Sequence, residues 1–498
     1  MSIKSLASQT IWYGASSIAA RFLNYLLTPY LTAKLSGSNY GEMSMVYAAI
    51  PFLNVIFTYG LETAYFRFST KGNAQRVYNT SSVSIFISTV LFFLVLYFSS
   101  GSVAHLLKLD EHPEFITYSA LIISFDALST LPFARLRQQG RPKKFAFIRI
   151  SGIVLTMLLT FFFISVLPSL AAKDPAGFFG KIYIKDYGVG YVIIANIISS
   201  FVTLLLLSGE SLQIKFDFDK ALWKQMMLYS LPLIIAGFGG MINETFDRIM
   251  LGWWAPVNSV EAAKIEVGIY SACYKLSILI TLFIQAFRMG AEPFFFKQAE
   301  EKDPHLVYAR VMKFFVIVIS IMFLVVALYL NIWKEFIRNP IFWTGLKVVP
   351  ILLLANMFLG IYYNLSIWYK LTNKTMAGAY ITLAGAVITL LINYFFIPYF
   401  SYMACAWATF FCYGSMMAIS FIWGQKHYHI PYEWQKLSGY ILLAVFFFFI
   451  HHFVTNFYPA AMISLTIATL LLLLFILFII RIERKEFAAL PVIGRFLK

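Results

Sequence analysis

Apolar segments of membrane-spanning length recur from one end of this 498-residue chain to the other, and the connections between them are short. Windows of about 19 residues place about fourteen of them, near 11–33, 42–66, 81–104, 115–138, 145–169, 187–208, 223–252, 266–289, 308–331, 345–369, 376–398, 401–424, 437–457 and 459–481. Unpaired backbone amides are too costly in hydrocarbon, so only helices and closed barrels cross a bilayer, and a crossing strand needs only about 9–11 residues. Segments of this length read as helices. The sequence therefore predicts an all-α integral membrane protein with about fourteen transmembrane helices. Composition agrees, with 60% apolar and 12% charged residues. The longest connection on the outer side, Ala171 to Asp186, is too short to bury a core of its own, which puts any function inside the bundle.

Basic residues mark one side of the membrane. Arg67, Lys71 and Arg76, the run Arg135, Arg137, Arg141, Lys143, Lys144 and Arg149, and later Arg310, Lys313, Lys370, Lys374, Arg481, Arg484 and Lys485 fall on the side of both termini. The positive-inside rule then gives an N-in, C-in topology with an even number of spans. The net charge of +16 follows from that topology and from attraction to anionic headgroups. With no compact basic domain, it calls for no nucleic acid. The segment Met1 to Thr10 carries only Lys4 ahead of a stretch too polar for a signal peptide, so the first span is expected to be retained.

Enzyme and metal signatures are missing from the sequence: there is no GxSxG, P-loop or HExxH. Cys273, Cys405 and Cys412 all fall within spans and read as small buried hydrophobes. The pairs His427/His429 and His451/His452 lack partners at ligand spacing and read as interfacial residues rather than zinc ligands. The stretch Arg484 to Lys498 alternates bases with Phe487, Leu490, Ile493, Phe496 and Leu497. That pattern suits a helix in the headgroup plane, with an ordinary frayed tail as the alternative.

Internal repetition divides the chain. The first and seventh spans each follow polar sequence and carry glycine, proline and fixed charge. A glycine–tyrosine pair opens the helix after each: Tyr40-Gly41 in one case, Gly268-Ile269-Tyr270 in the other. Two six-helix lobes, 1–208 and 209–424, explain this, with 425–498 left for two additional helices and an interfacial tail. Halves of six spans share one orientation and are related by an axis along the membrane normal.

Ionisable residues within spans are functional candidates, because a charge near the bilayer centre costs roughly 2.5 to 3.5 kcal/mol on insertion scales. Arg21 lies on a stripe of small and polar residues, Thr10, Gly14, Ser17, Arg21, Asn24 and Thr28, whose spacing puts them on one helix face. That face reads as the wall of a hydrophilic pathway. In the second span Ser44, Ala48, Pro51, Asn54, Thr58 and Glu62 form a second such face, expected to meet the first. Asp126, in the fourth span, is placed to load a proton or sodium ion, with Arg21 as a candidate neighbour. The seventh span carries Pro232, Gly237, Gly239 and Gly240, which remove a backbone hydrogen bond and packing bulk and mark it as the hinge. Farther along it come Asn243, Glu244, Asp247 and Arg248. The spacing pairs Glu244 with Arg248, either as a self-neutralised pair or with Arg248 free for substrate. Lys275 lies in the eighth span beside Ser271, facing the cavity or snorkelling to the outer headgroups.

The pattern Tyr229-Ser230-Leu231-Pro232, Asn243, Asp247-Arg248 and Gly268-Ile269-Tyr270-Ser271 with Lys275, together with the stripe around Arg21, resembles the polysaccharide flippase branch of the multidrug/oligosaccharidyl-lipid/polysaccharide exporter superfamily. The resemblance covers essentially the whole chain. It implies a V of two six-helix lobes around a central cavity, cations from the first and eighth spans lining it, and two extra helices. The implied cargo is an undecaprenyl-diphosphate-linked oligosaccharide moved to the periplasmic leaflet of a bacterial inner membrane.

Residue chemistry fits such a cargo. A sugar diphosphate needs cations and a polar lining, and arginine forks and lysine point charges suit phosphate. Arg21, Lys275, Arg248, Asn24 and Ser17 are the expected binding residues. Asp126, Glu62, Glu244 and Asp247 are the candidates for ion coupling. Tyr362, Tyr363, Trp368, Tyr369, Tyr394 and Tyr399 offer rings for sugar stacking, although lipid packing explains most of them. No cofactor is expected; coupling to H+, Na+ or the membrane potential stays open. Expected partners are the lipid-linked oligosaccharide, membrane lipids and other polysaccharide-assembly proteins, around a monomer. The alternatives are a multidrug or organic-cation antiporter of the same architecture, favoured by the acidic residues, and an integral membrane glycosyltransferase, ligase or polymerase, for which the outer loops are short.

Overall fold

The computed structural model describes residues 3–70, 72–299, 303–372, 374–458 and 460–488, with side chains from Gly14 onward except those of Pro293, Lys297 and Ala488. Lys71 and the side chain of Thr10 fall outside this set, as do Leu490, Ile493, Phe496 and Leu497 of the tail. Among the described residues the fold is helical and contains no strand. The first group of helices is α1 (Ile3–Lys34), α2 (Gly37–Thr58), the short α3 (Leu61–Ser69), α4 (Ala74–Phe98), α5 (Glu114–Gln138), α6 (Pro142–Phe161) and α7 (Gly188–Leu206). The second is α8 (Lys220–Trp254), α9 (Val260–Gln298), α10 (Pro304–Ala327), α11 (Val349–Leu365), α12 (Met376–Phe400) and α13 (Tyr402–His427). Then come α14 (Trp434–Phe457), α15 (Ala461–Ile482) and the terminal turn α16 (Arg484–Ala488).

Thirteen of the described helices are long and apolar enough to cross a membrane. To these α1 adds a fourteenth of spanning length, 32 residues, whose polar stripe dilutes its apolar character. Helix starts follow local chemistry. The side chains of Ser36, Asn73 and Asp219 accept hydrogen bonds from the free amides at the starts of α2, α4 and α8.

Three spans depart from their expected form. The segment expected over 42–66 breaks into α2 and α3 at Tyr59 and Gly60, which have φ of 32° and 73°. Glycine takes the left-handed conformation without strain, and here it also lets α3 approach Ser230 of α8. Glu62 therefore does not continue the face of α2. The segment expected over 266–289 runs for 39 residues as α9, about 58 Å against a hydrocarbon core of about 30 Å. The segment expected over 345–369 begins in a tighter 3-10 turn from Pro340 to Val348.

Packing separates the helices into groups. Within the first, α5 meets α2, α4 and α7, and α6 meets α1 and α7. In the second, α12 meets α8 and α13, and α11 meets α9, α10 and α13. Helix α2, whose polar face was expected to meet α1, packs on α8 and α9 instead, and Asn54 of that face is exposed. Helix α8 straddles the groups. Its first half is built into the first: Trp223 Nε1 donates to Ser84 Oγ at 2.8 Å, Met226 is buried with Phe57, Tyr65 and Tyr78, and Arg67 stacks over Tyr229. Its second half packs on α12 and α13, where the Asn243 amide donates to the Thr382 carbonyl at 3.1 Å.

The two additional helices dock on α10 through a charged knot. Lys313, 6% exposed, places its ammonium 3.1 Å from both Glu433 and Glu483 and 3.3 Å from Glu486. Arg310 also binds Glu486, and the Tyr440 hydroxyl donates to Glu483 at 2.6 Å. Lys436, followed by Lys313, holds the Glu433 carboxyl below the usual carboxylate range. This contribution is present above the ordinary carboxylate pKa and is lost as pH falls through the lowered value. His451, expected at an interface, is instead buried between α14 and α15 and bonds Ser464. Removing Lys313 leaves carboxylates facing one another, so Lys313→Ala is expected to cost on the order of 3 kcal/mol, read as a lower midpoint of thermal unfolding in detergent.

Candidate functional site

A cavity of about 760 Å³ lies where α1, α8, α9 and α11 converge, closed on one flank by Thr382 of α12 and by Tyr413 and Met416 of α13. Its lining residues come from the middle of α1 and α8 and from the later parts of α9 and α11. Because α9 and α11 start at the end opposite the chain's amino terminus, the cavity extends from mid-bundle toward the end where α1 begins. At the opposite end α2 and α9 are in tight contact. A Cβ on Gly41 would overlap the Lys264 carbonyl oxygen, and one on Gly268 would overlap that of Gly37.

Arg21, Asn24 and Ser17 of α1 line this space, as do Lys275 and Arg288 of α9 and Glu244 of α8. Gly14 packs against Met289, and Thr28 is buried. Neither Arg21 nor Lys275 forms an ion pair among the described residues. Arg288 lies over the Tyr363 ring at 3.9 Å and pairs with Glu292 at 3.3 Å, and Glu292 also holds Lys370 at 2.7 Å. The remaining wall is polar and aromatic, with Gln285, Asn356, Tyr25, Tyr274, Tyr362, Tyr363 and Tyr413. Such a surface can hold an anionic group beside hydroxyl-rich matter: cations for charge, amides and phenols for hydrogen bonds, ring faces for sugar faces.

Other predicted residues lie elsewhere. The expected Glu244–Arg248 ion pair is replaced by one between neighbours. Arg248 Nη1 is 3.0 Å from Asp247 and donates to the Glu244 main-chain carbonyl at 2.9 Å. Asp247, 2% exposed, also accepts from the Tyr270 hydroxyl at 2.6 Å, and Arg248 lies 4.5 Å from the Tyr274 ring. Tyr274 lines the cavity and Arg248 does not, so Arg248 is covered by that ring. The carboxylate of the adjacent residue, itself held by the Tyr270 hydroxyl, takes the guanidinium in place of a partner four residues away. Glu62 pairs with Arg137 of α5, away from the cavity.

Asp126 engages Ser200 and Arg149, and Arg149 in turn senses Arg21. The cation beside Asp126 is therefore Arg149. Of the stacking candidates, Tyr362 and Tyr363 line the cavity, Trp368 and Tyr369 are buried in packing, and Tyr394 and Tyr399 face outward. Gly237 contacts Val55 of α2, Gly239 contacts Leu383 of α12, and Gly240 lines the cavity. Arg288 and Glu292 were not singled out from the sequence, because they fall at or beyond the end of the apolar window. Their spacing of four was the available signal.

Comparison with known proteins gives three findings. The family described as "Polysaccharide biosynthesis protein" matches residues 6–298. The Lsg locus putative protein 1 of Haemophilus influenzae is 20% identical over 303 residues, spanning 59% of this chain and 66% of that protein, just under two thirds of its length. Among solved structures, "Lipid II flippase MurJ, inward closed conformation" aligns with a TM-score of 0.68 over 95% of this chain and 99% of that one, at 13% identity. An inward-facing multidrug resistance MATE family transporter of the MOP superfamily aligns with a TM-score of 0.59 over 86% and 94%, also at 13% identity. At such identities the likeness is one of fold.

The two acidic neighbours of α8 are expected to separate by role. Asp247→Ala strands Arg248 inside the bundle and should cost about 3–5 kcal/mol, whereas Glu244→Gln, on the cavity wall, should leave the thermal midpoint nearly unchanged. Unfolding scans of the two detergent-solubilised variants make the comparison.

Proposed function

The chain belongs to the polysaccharide biosynthesis protein family, on the polysaccharide flippase branch of the multidrug/oligosaccharidyl-lipid/polysaccharide exporter superfamily, and from that premise we propose that it moves a polyprenyl-diphosphate-linked oligosaccharide from the cytoplasmic to the periplasmic leaflet of a bacterial inner membrane. The observation that carries this reading is that Arg21 and Lys275, from different helix groups, line one cavity without carboxylate partners among the described residues. A diphosphate supplies the missing countercharge. Asn24, Ser17 and Gln285 meet the sugar hydroxyls, Tyr362 and Tyr363 offer stacking faces, and the polyprenyl chain stays in lipid. With both termini cytoplasmic, the cavity is loaded from the inside. Arg248 serves by holding Tyr274 in the wall.

Transport follows from rocking the two groups of helices about α8. Its first half is fastened to α3 and α4 and its second to α12 and α13, while α2 runs along both halves and meets the second at Thr245 and Gly252, so bending is assigned to the intervening stretch with Pro232, Gly237, Gly239 and Gly240. The driving force comes from the membrane potential, worth about 2.3 kcal/mol per charge per 100 mV, or from H+ or Na+ exchange at Asp126 beside Arg149.

One observation favours the antiporter reading: Glu244 reaches the cavity without a cation at its carboxylate among the described residues. Against it, three cations line the same space, and Glu292 is already held by Arg288 and Lys370. Drug sensitivity of an efflux-deficient strain expressing the protein separates the two; the flippase reading expects no protection.

Arg21→Ala and Lys275→Ala are each expected to slow headgroup translocation by roughly tenfold or more, the worth of a charge-assisted contact, while membrane level and thermal midpoint hold. The assay follows labelled polyprenyl-diphosphate sugars between the leaflets of reconstituted vesicles. Undiminished transport by both variants would remove the binding role.

A further inference from the structure

Helix α9 carries more of the pathway than the cavity uses. Lys264 and Lys275 are eleven positions apart, which at about 100° per residue brings them to within about 20° of the same direction. Gly268 and Ser271 lie between them on that stripe. Lys275 lines the cavity. Lys264 is enclosed at the outer end, in the contact of α9 with α2, where its ammonium is 3.1 Å from the Glu42 carboxylate and the two side chains are 9% and 7% exposed. Ser271, 3% exposed, makes no hydrogen bond through its hydroxyl among the described residues. A path leaving the cavity outward along α9 would thus pass an unpartnered donor and then a second lysine.

We propose that Lys264 is an anion site at the outer exit of the pathway, masked in this state by Glu42. When α2 and α9 part, the ammonium exchanges the carboxylate for a phosphate oxygen of the departing cargo, and Ser271 donates on the way. The exchange leaves the lysine with an anionic partner at both stages, while the Glu42 carboxylate is given up to the water that enters as the helices part. The released Glu42 repels the phosphate and favours its departure. A plain latch would work with either polarity; here the cation is on the stripe that already holds Lys275.

The proposal rests on the flippase reading, and a charge swap tests it separately. Reconstituted wild-type protein, Glu42→Gln, Lys264→Gln, Lys264→Arg and the double variant Glu42→Lys/Lys264→Glu are compared for translocation of labelled polyprenyl-diphosphate sugars. Outer closure is read in parallel from labelling of Ser271→Cys by a membrane-impermeant maleimide, with Cys273, Cys405 and Cys412 replaced. The swap is expected to keep labelling slow yet lower transport roughly tenfold, because an acid then stands at the exit. Both single glutamine variants should label faster, but Lys264→Gln should transport less than Glu42→Gln, and Lys264→Arg should transport normally. Full transport by the swap, or equal transport by the two glutamine variants where the swap does not fold, reduces Lys264 to a latch and overturns the proposal while the flippase reading stands. A wild-type protein that moves no labelled lipid overturns both.

Discussion

A cation in the middle of a membrane bundle must be hydrated, paired or absent, and the fold is arranged around satisfying two of them by hydration. Arg21 and Lys275 stand on different helices and open onto one cavity. The polar stripe of α1 is what lets it border that space. The length of α9 serves the same end, since it continues past the hydrocarbon core and brings Arg288 to the cavity wall. Elsewhere in the bundle the charges are consumed locally, as in the pairs of Asp247 with Arg248 and of Lys313 with its carboxylates. The contrast between consumed and available charge distinguishes the site from the scaffold.

The contact of α2 with α9 draws its strength from shape more than from charge. Burying an ion pair costs desolvation that its attraction roughly repays, so Glu42 with Lys264 fixes which residues face one another and contributes little net stability. Gly41 and Gly268 let the two backbones approach to where a Cβ would overlap a carbonyl oxygen of the other helix. In a bilayer, where apolar side chains gain little by leaving lipid, close backbone packing is the main source of helix affinity. A contact of this kind is firm when packed and loses its grip within a small separation, because dispersion falls steeply with distance.

Periodicity and charge were enough to read the helical class, whereas Lys275 was left between the cavity and the outer headgroups, and the rings of Tyr362 and Tyr363 between sugar stacking and lipid packing. What escaped was tertiary. Spacing says which residues share a helix face but not which helix lies opposite, so the polar face of α2 was matched to α1 when that helix packs on α8 and α9. The same limit misassigned Arg248, whose partners Asp247 and Tyr270 come from a neighbour in sequence and from another helix. The break at Tyr59 and Gly60 was hidden because an apolar window passes over a left-handed turn unchanged. Arg149, read as a loop cation, interacts electrostatically with both Asp126 and Arg21.

Helix α8 explains why the proposed rocking need not disrupt either half of the molecule. Rigid attachment at Trp223 and Met226 on one side and at Asn243 on the other leaves about four turns between them. Pro232 withdraws one backbone hydrogen bond there, so bending at that turn breaks less than it would elsewhere. The three glycines are not equivalent. Gly237 and Gly239 are held against Val55 and Leu383, one on each group, and transmit displacement between them. Gly240 faces open space with nothing within 4 Å of a Cβ placed on it. The helix is thus braced on both flanks and unobstructed toward the cavity, so the direction of least resistance for bending is the one that changes the shape of the site.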